Sequence, residues 1–508
     1  MNQVTEPKMT SDSVLHADVL VLGAGGAGLP AAVQACESGA KKVIVLEKRA
    51  STGGNAVFAN GIFACESPVQ RLYQVNLDKD ELFSEVMAWH HYDRIDARVL
   101  RAYIDKCGDT IAWLMAKGIE FEVGSQMGMY PGQTPSWHIA INKKTGDLSR
   151  FAQVFRMLQK ELVDHGGQVL TGVDTQRLLR DERGRVVGAE ATDKEGKTFA
   201  VRAGSVILAC GGFIGNKEML RQYFPYFDDD FGGFYVPMMG DGIRLAEAAG
   251  AALEPHSTLV KETPASSDEM NERALSMVCR EPDIIWVNRL GERFADESIG
   301  AHLQTSVNAI LHQPGKVAFT VFDQSTIANA RANGWTLPKY PAGDWHEKFA
   351  DQLAAASAKG QWAKSADTLA ELAEWIGCDA AALQATVDEY NAFCAQGHDA
   401  TFAKKRRYLR PIAQGPFHAV KFGALMIETV GPVRVNERME VLDPSHRAIP
   451  GLYAAGAMAA GWQGHDYCGD LMFGSALGFA MSSGRIAGEQ AARRGAAALQ
   501  HDVAATAA

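Results

Sequence analysis

The chain has 508 residues, too many for one ordinary core, so two or three domains are expected. Its 50 Lys and Arg stand against 60 Asp and Glu, a formal net charge of −10, which argues against nucleic acid or an anionic membrane surface as partner. No run of about 20 uninterrupted apolar residues is available to span a membrane, and residues 1–16 are polar with no basic stretch leading into an apolar core, so a cytoplasmic location is expected.

The first apolar run, Asp18-Val19-Leu20-Val21-Leu22, leads into Gly23-Ala24-Gly25-Gly26-Ala27-Gly28, and a second run, Val43-Ile44-Val45-Leu46, ends on Glu47. This order predicts a dinucleotide-binding βαβ unit over 17–60. Gly23 makes the tight turn, Gly25 lets the backbone approach a pyrophosphate, and Gly28 lets the helix pack on the strand. The pyrophosphate rests on the N–H groups and positive dipole end of that helix. Glu47, 19 residues after Gly28, is placed to accept from the ribose hydroxyls.

Lys48 and Arg49 then open a second small-residue loop, Ala50 through Gly53-Gly54-Asn55-Ala56 and on to Asn60-Gly61. A simple NAD domain would continue its strand–helix alternation here, whereas a large planar ring needs such a backbone-lined slot, so FAD is favoured over NAD. Further on, an amphipathic helical region is expected from about Leu82 to Lys117. A strand-rich patch over Gln168–Val201 carries hairpin turns at Asp181-Glu182-Arg183-Gly184 and Asp193-Lys194-Glu195-Gly196. The buried strand Val206–Ala209 ends in Cys210-Gly211-Gly212-Phe213, and Gly451-Leu452-Tyr453-Ala454-Ala455-Gly456 repeats that character near the far end. Between them, residues 256–428 read as mixed helices and loops without a glycine fingerprint, including an Ala-rich helical stretch at 366–395. The run Lys404-Lys405-Arg406-Arg407 reads as a solvated face, and 491–508 as a frayed Ala-rich tail.

Cys36, Cys65, Cys107, Cys210, Cys279, Cys378, Cys394 and Cys468 show no CxxC or CxxCH spacing. No zinc ribbon, iron–sulfur cluster, attached haem or other metal site is therefore expected, and electrons must enter or leave through an external donor or acceptor.

These pieces together resemble the flavoprotein family of fumarate reductase, succinate dehydrogenase and 3-ketosteroid dehydrogenase. The resemblance is carried by the opening fingerprint with Glu47, Gly53-Gly54-Asn55, Ala209 through Asn216, Gly240-Asp241-Gly242, Asn288 through Gly291-Glu292-Arg293-Phe294, Gly451 through Gly456, and Gly484-Arg485-Ile486-Ala487-Gly488. It spans nearly all of 17–490. It implies an α/β fold with a discontinuous Rossmann-like FAD-binding domain (17–255 and 429–490) and an inserted α+β capping domain (256–428). FAD contacts are implied at Ala27, Glu47, Asn55, Ala56, Gly61, Asp241, Ala457, Ser475 and Leu477, beside Gly23, Gly25, Gly28, Lys48, Gly54, Gly211, Gly212 and Gly456 from the glycine loops. Each has an alternative as turn or packing residue. The loop Gly53–Ala59 lacks the histidine to which the succinate dehydrogenase branch attaches its flavin, so non-covalent FAD is expected.

The chain departs from the family at the dicarboxylate clamp, where charge-assisted donors hold two carboxylates. The proton-delivering arginine is replaced by Ala301, the Thr-Glu pair by Ser276-Met277, the histidine pair by Ile427-Glu428, and the late arginine by Tyr467 within Gly464-His465-Asp466-Tyr467-Cys468-Gly469. Fumarate and succinate are therefore expected to be poor substrates. A tyrosine in the last slot resembles the ketosteroid dehydrogenase branch, where it holds the substrate carbonyl; here Tyr-Cys-Gly stands for Tyr-Pro-Gly. A phenol O–H on a carbonyl oxygen stabilises the enolate that forms when an α-proton leaves. Tyr467 is either that donor or packing under the flavin. His465 and Asp466 either orient it or are structural. Tyr235, Tyr130 and Glu428 are candidate acids or bases, with core or surface duty as the alternative. Arg280 occupies the slot of a second family arginine and is a candidate anion or carbonyl contact, while Trp137-His138 and Trp462 either line an apolar pocket or are core.

Three functions follow as alternatives. The leading one is an FAD enzyme acting on a CH–CH bond beside a carbonyl, dehydrogenating an apolar or cyclic ketone or running the reverse ene-reduction. A second is reduction of a carboxylated alkene with a clamp rearranged from Arg280, Arg244 or Lys421. The third is a non-catalytic flavin-binding or electron-transfer module.

Overall fold

The computed structural model describes residues 14–124, 134–141, 151–229, 231–233, 235–262, 273–337 and 345–506. The opening run forms β1 (Val14–Leu22), the fingerprint enters α1 (Gly28–Glu37), and the chain returns as β2 (Val43–Glu47). β1 and β2 pair in parallel, with Leu22 opposite Leu46, so both deliver their C-terminal ends to the same edge. Val19–Leu22 and all of β2 are buried, as strands covered on both faces must be, and this is why they read as unbroken apolar runs. The eight-stranded sheet runs in the order Glu440–Leu442, Ala448–Ala454, Thr198–Leu208, β1, β2, Gln168–Thr171, with the hairpin Asp174–Arg180 and Val186–Thr192 joined to Thr198–Leu208. Ala448–Ala454 pairs in parallel with Thr198–Leu208, which places the two late glycine turns, after 208 and 454, beside the first.

A second body holds its own cores, gathered from residues between 274 and 422. Its antiparallel sheet runs Ile285–Val287, Val317–Asp323, Phe417–Gly423, Ala363–Ala366. A small sheet of Gly232–Gly233, Leu425–Val430 and Thr258–Glu262 joins the bodies, and Leu259, Val260, Met426 and Val430 belong to the core of the nucleotide-binding body. The architecture is the α/β class expected.

Two expected helical regions are each divided, and two other local expectations need correction. The region 82–117 is two helices, Lys79–Trp89 and Ala97–Ala116, interrupted where His91, Tyr92 and Arg94 take positive φ and Asp96 caps the second helix. The stretch 366–395 divides into Leu369–Ile376 and Ala380–Gln396, because Gly377 turns left-handed at φ 82°. Lys404 is not on a solvated face: it is fully buried, 2.9 Å from Glu297, since Glu297 also carries Arg293 and needs the second cation to balance its neighbour Asp399. The tail does not begin at 491, because the C-terminal helix runs Ser475–Thr506 and Ala491 and Ala492 are core residues.

Candidate active site

One cavity of about 520 Å³ runs from the fingerprint to the second body. At its first end, Gly23 adopts φ +102°, and a Cβ there would lie 2.4 Å from Ala209 O. A Cβ on Gly28 would lie 1.8 Å from Gly23 O, so Gly28 is required for packing and does not line the cavity. Gly25 differs: the nearest atom to a Cβ there, Gly53 O, would lie 3.9 Å away, and Gly25 lines the open cavity. No side chain caps α1, so its first N–H groups present a positive end to an anion.

Glu47 is held by both oxygens, accepting from Ala24 N–H and Arg49 N–H at 2.8 Å each, and each oxygen keeps a lone pair for a hydroxyl. Lys48 bridges Asp174 at 3.2 Å and Asp241 at 3.3 Å, joining three segments around the same end. Asn55 donates to Ile427 O at 2.9 Å and Glu428 Oε2 at 3.3 Å, and accepts from Val236 N–H at 3.1 Å. The slot loop is thereby tied to strands far away in sequence. Gly61 abuts Trp137, whose Nε1 would lie 2.2 Å from a Cβ. Gly23, Gly25, Ala27, Glu47, Lys48, Gly54, Asn55, Ala56, Gly61, Gly211, Asp241, Gly456, Ala457 and Leu477 all line this cavity. Gly212 and Ser475 do not line it: a Cβ on Gly212 would strike Thr429 Oγ1 at 2.1 Å, and Ser475 is turned toward Tyr467. An open glycine-walled slot, an uncapped helix start and an oriented carboxylate are the donor and acceptor set that an adenine dinucleotide requires.

The same cavity is also lined by the apolar Trp137, Ile427, Trp462 and Phe473 and by Tyr467, Glu428, Arg280, Lys261, Ser276 and Gln304. Tyr467 is buried, and its oxygen accepts from Ser475 Oγ at 2.9 Å and Ala476 N–H at 3.1 Å. Burial pushes its phenol up to about 12, against those two donors. The hydroxyl thus sits on the start of the C-terminal helix, and its own proton is left to donate. Glu428 is buried at the cavity wall, accepting from Thr429 N–H at 2.9 Å and from Asn55. Burial raises it to about 7, against those hydrogen bonds.

Tyr235 packs against the nucleotide-binding core and is not among the lining residues, whereas its neighbours Val236 to Met239 are. Tyr130 lies outside the described residues. His138 points away from the cavity onto Ser67 Oγ at 2.6 Å, as strand alternation from Trp137 requires. His465 is exposed and stacks on Trp89, while Asp466 is buried. Of the rearranged-clamp residues, Arg280 lines the cavity. Arg244 instead pairs with Asp241 on an exposed helix face and Lys421 lies over Trp362, so neither of them reaches it. The cation that sequence reasoning missed is Lys261, side chain 5 % exposed and paired with Asp466; a lone Lys in a strand reads as a solvent-facing position. Among the described residues one group has metal-ligand spacing, Glu37, Glu161 and His165, away from the cavity and with both carboxylates paired to Lys117. No described helix is long and apolar enough to cross a membrane.

Comparison with known proteins agrees with this geometry. The chain is 30% identical over 497 residues to a vinyl phenol reductase from Lactiplantibacillus plantarum, covering 94% of this chain and 96% of that one. It is 29% identical to a fumarate reductase (cytochrome) from Shewanella frigidimarina, over 94% and 77% of the two chains. Its structure is similar to that of the 3-ketosteroid-Δ4-(5α)-dehydrogenase from Rhodococcus jostii RHA1, with a TM-score of 0.73 and 25% identity over 96% and 98% of the chains. Residues 18–469 match the FAD binding domain model, and the chain belongs to that family as an FAD-dependent oxidoreductase related to the fumarate reductases, with FAD as its cofactor.

Proposed function

We propose that the chain reduces a C=C bond conjugated to an oxygen-bearing electron-withdrawing group, on a largely apolar substrate. The observation that carries this is one cavity that is lined both by the dinucleotide slot and by Tyr467, Glu428 and Arg280 with aromatic side chains. The flavin, once reduced by an external electron donor, would supply the hydride. The residues of the chain supply the rest: Tyr467 gives its O–H to the oxygen that takes up charge, and Glu428, protonated near neutrality because it is buried, gives the proton to the neighbouring carbon. The aromatic walls exclude water from the reacting carbons. The similar vinyl phenol reductase and fumarate reductase support the reductive direction by their names. The loss of an arginine–histidine clamp at Ala301, Met277, Ile427 and Tyr467 favours a substrate with fewer carboxylates than fumarate.

A second reading, the reverse dehydrogenation of a saturated ketone, is favoured by the tyrosine at position 467 and the likeness to a ketosteroid dehydrogenase. One experiment separates them. Anaerobic enzyme reduced with dithionite is mixed in a stopped-flow instrument with 4-vinylphenol, 2-cyclohexenone, acrylate and fumarate, and oxidised enzyme with a panel of saturated ketones. Rapid flavin reoxidation by 2-cyclohexenone, with fumarate slow, is expected; fast reoxidation by 4-vinylphenol, which carries no electron-withdrawing oxygen group, would instead show that Tyr467 does not act on an enolate oxygen. Flavin bleaching by the ketones alone reverses the direction, and no reaction in either arm leaves the non-catalytic module. With the best alkene, Tyr467→Phe should slow reoxidation by roughly 10²–10³, the cost of one lost oxyanion donor, at unchanged flavin content. A change of only a few-fold would assign Tyr467 to capping the helix.

A further inference from the structure

The helix Leu303–Leu311 of the second body is connected to the loop that carries Tyr467 through a closed ring of three polar side chains. Lys261 Nζ donates to Asn308 Oδ1 at 2.8 Å and pairs with Asp466 Oδ1 at 3.2 Å, and Asn308 Nδ2 donates to Asp466 Oδ2 at 2.6 Å. Asp466 Oδ1 also accepts the backbone N–H of Tyr467 at 2.9 Å. Gln304, one turn before Asn308 and so on the same helix face, accepts from Lys261 N–H at 3.4 Å and donates to its carbonyl. Around this ring the loop is held twice more, by Thr258 Oγ1 on Gly464 O at 2.6 Å and by His302 Nδ1 against Asp470 Oδ2 at 3.1 Å. Lys261 and Asp466 are 5 % and 10 % exposed in their side chains, and a charge pair this dry holds its geometry only while its hydrogen-bonding partners stay in place.

We infer that Asn308 is a positioning residue: seated by the second body against Lys261 and Asp466, it fixes the backbone of Tyr467 and so the direction of its O–H. The inference rests on the role proposed for Tyr467. The physical ground is that Asp466 uses one carboxylate oxygen for both Lys261 and the Tyr467 N–H and the other for Asn308, so removal of the amide frees the carboxylate to rotate and releases the peptide that aims the ring. A phenol already held at its oxygen by Ser475 and Ala476 then loses its second point of attachment.

The test compares wild type, Asn308→Ala, Tyr467→Phe and the double variant as FAD-loaded enzymes, using the alkene from the panel that reoxidises reduced flavin fastest. Alanine raises helix propensity at an intermediate-burial position, so the helix itself is retained. Asn308→Ala should lower kcat about tenfold with little change in KM, but less than about twofold when Tyr467 is already Phe. In parallel, amide hydrogen exchange of the FAD-loaded enzyme should speed up within residues 463–470. Effects of the two substitutions that multiply, or unchanged exchange in 463–470, would overturn the inference. If Tyr467→Phe alone leaves kcat unchanged, it is the proposed role of Tyr467 that fails, and the exchange measurement still decides whether Asn308 holds the loop.

Discussion

At the residue scale, Glu428 shows how position converts an ordinary side chain into a candidate acid. Its carboxyl is pushed up to about 7 because burial at the cavity wall penalises the charged form more than Thr429 N–H and Asn55 stabilise it. The sign follows from linkage. The folded state binds the proton more tightly than the unfolded chain, so the contribution of Glu428 to stability is fully present below the ordinary carboxyl range and is lost as pH rises from there through about 7. Glu428→Gln removes the ionisable group, and at pH 8 it should raise stability by something of the order of 3 kcal/mol, measured by denaturant unfolding at pH 5 and pH 8. Wild-type alkene reduction should fall above about pH 7, and the same variant, having lost the proposed proton donor, should be slow with no such fall. A wild-type rate that does not change across neutrality would remove Glu428 as proton donor.

At the element scale, the nucleotide-binding body depends on two helices packed closer than side chains allow. A Cβ on Gly484 would lie 2.2 Å from Ala27 O, and one on Gly488 2.2 Å from Ala31 O. The C-terminal helix therefore crosses α1 backbone to backbone, one turn apart along both. Gly488→Ala sets two effects against each other. Helix propensity gains about 1 kcal/mol, while a contact with rigid backbone costs about 1–3 kcal/mol or more. The steric cost should win, because the obstructing atom is a carbonyl oxygen and not a movable side chain. A lower melting temperature and reduced flavin occupancy are expected, and a melting temperature above wild type would show that the crossing relaxes freely.

At the scale of the whole molecule, the cofactor slot is assembled from segments beginning at Leu22 and ending at Ala480, so FAD binding and folding are linked. Apoprotein should melt below the loaded form, by about 2.7 kcal/mol of stability at a hundredfold excess of FAD over Kd. Acid precipitation should leave the yellow flavin in the supernatant, since Gly53–Ala59 offers no histidine for attachment. Flavin carried down with the polypeptide would contradict this.

The nucleotide site was legible in the chain because its chemistry is local: a turn that needs Gly23, an approach that needs Gly25 and an acid at the end of the next strand are set by neighbours within about 30 residues. The break at Gly377 was not read from the chain, because a glycine inside an Ala-rich run ends a helix only where the chain turns left-handed, as it does here. The substrate end was not. Whether Tyr235 or Val236 faces the cavity is fixed by how the segment before Gly240 lies on the core. That Lys261 turns inward depends on Asp466, more than 200 residues away, and on Asn308 from the second body. Burial likewise raises Glu428 only once Leu425–Val430 closes over Asn55. Short-range stereochemistry determined the cofactor, whereas long-range packing alone decided which acids and cations line the cavity, because a polar side chain's environment belongs to the elements that bury it.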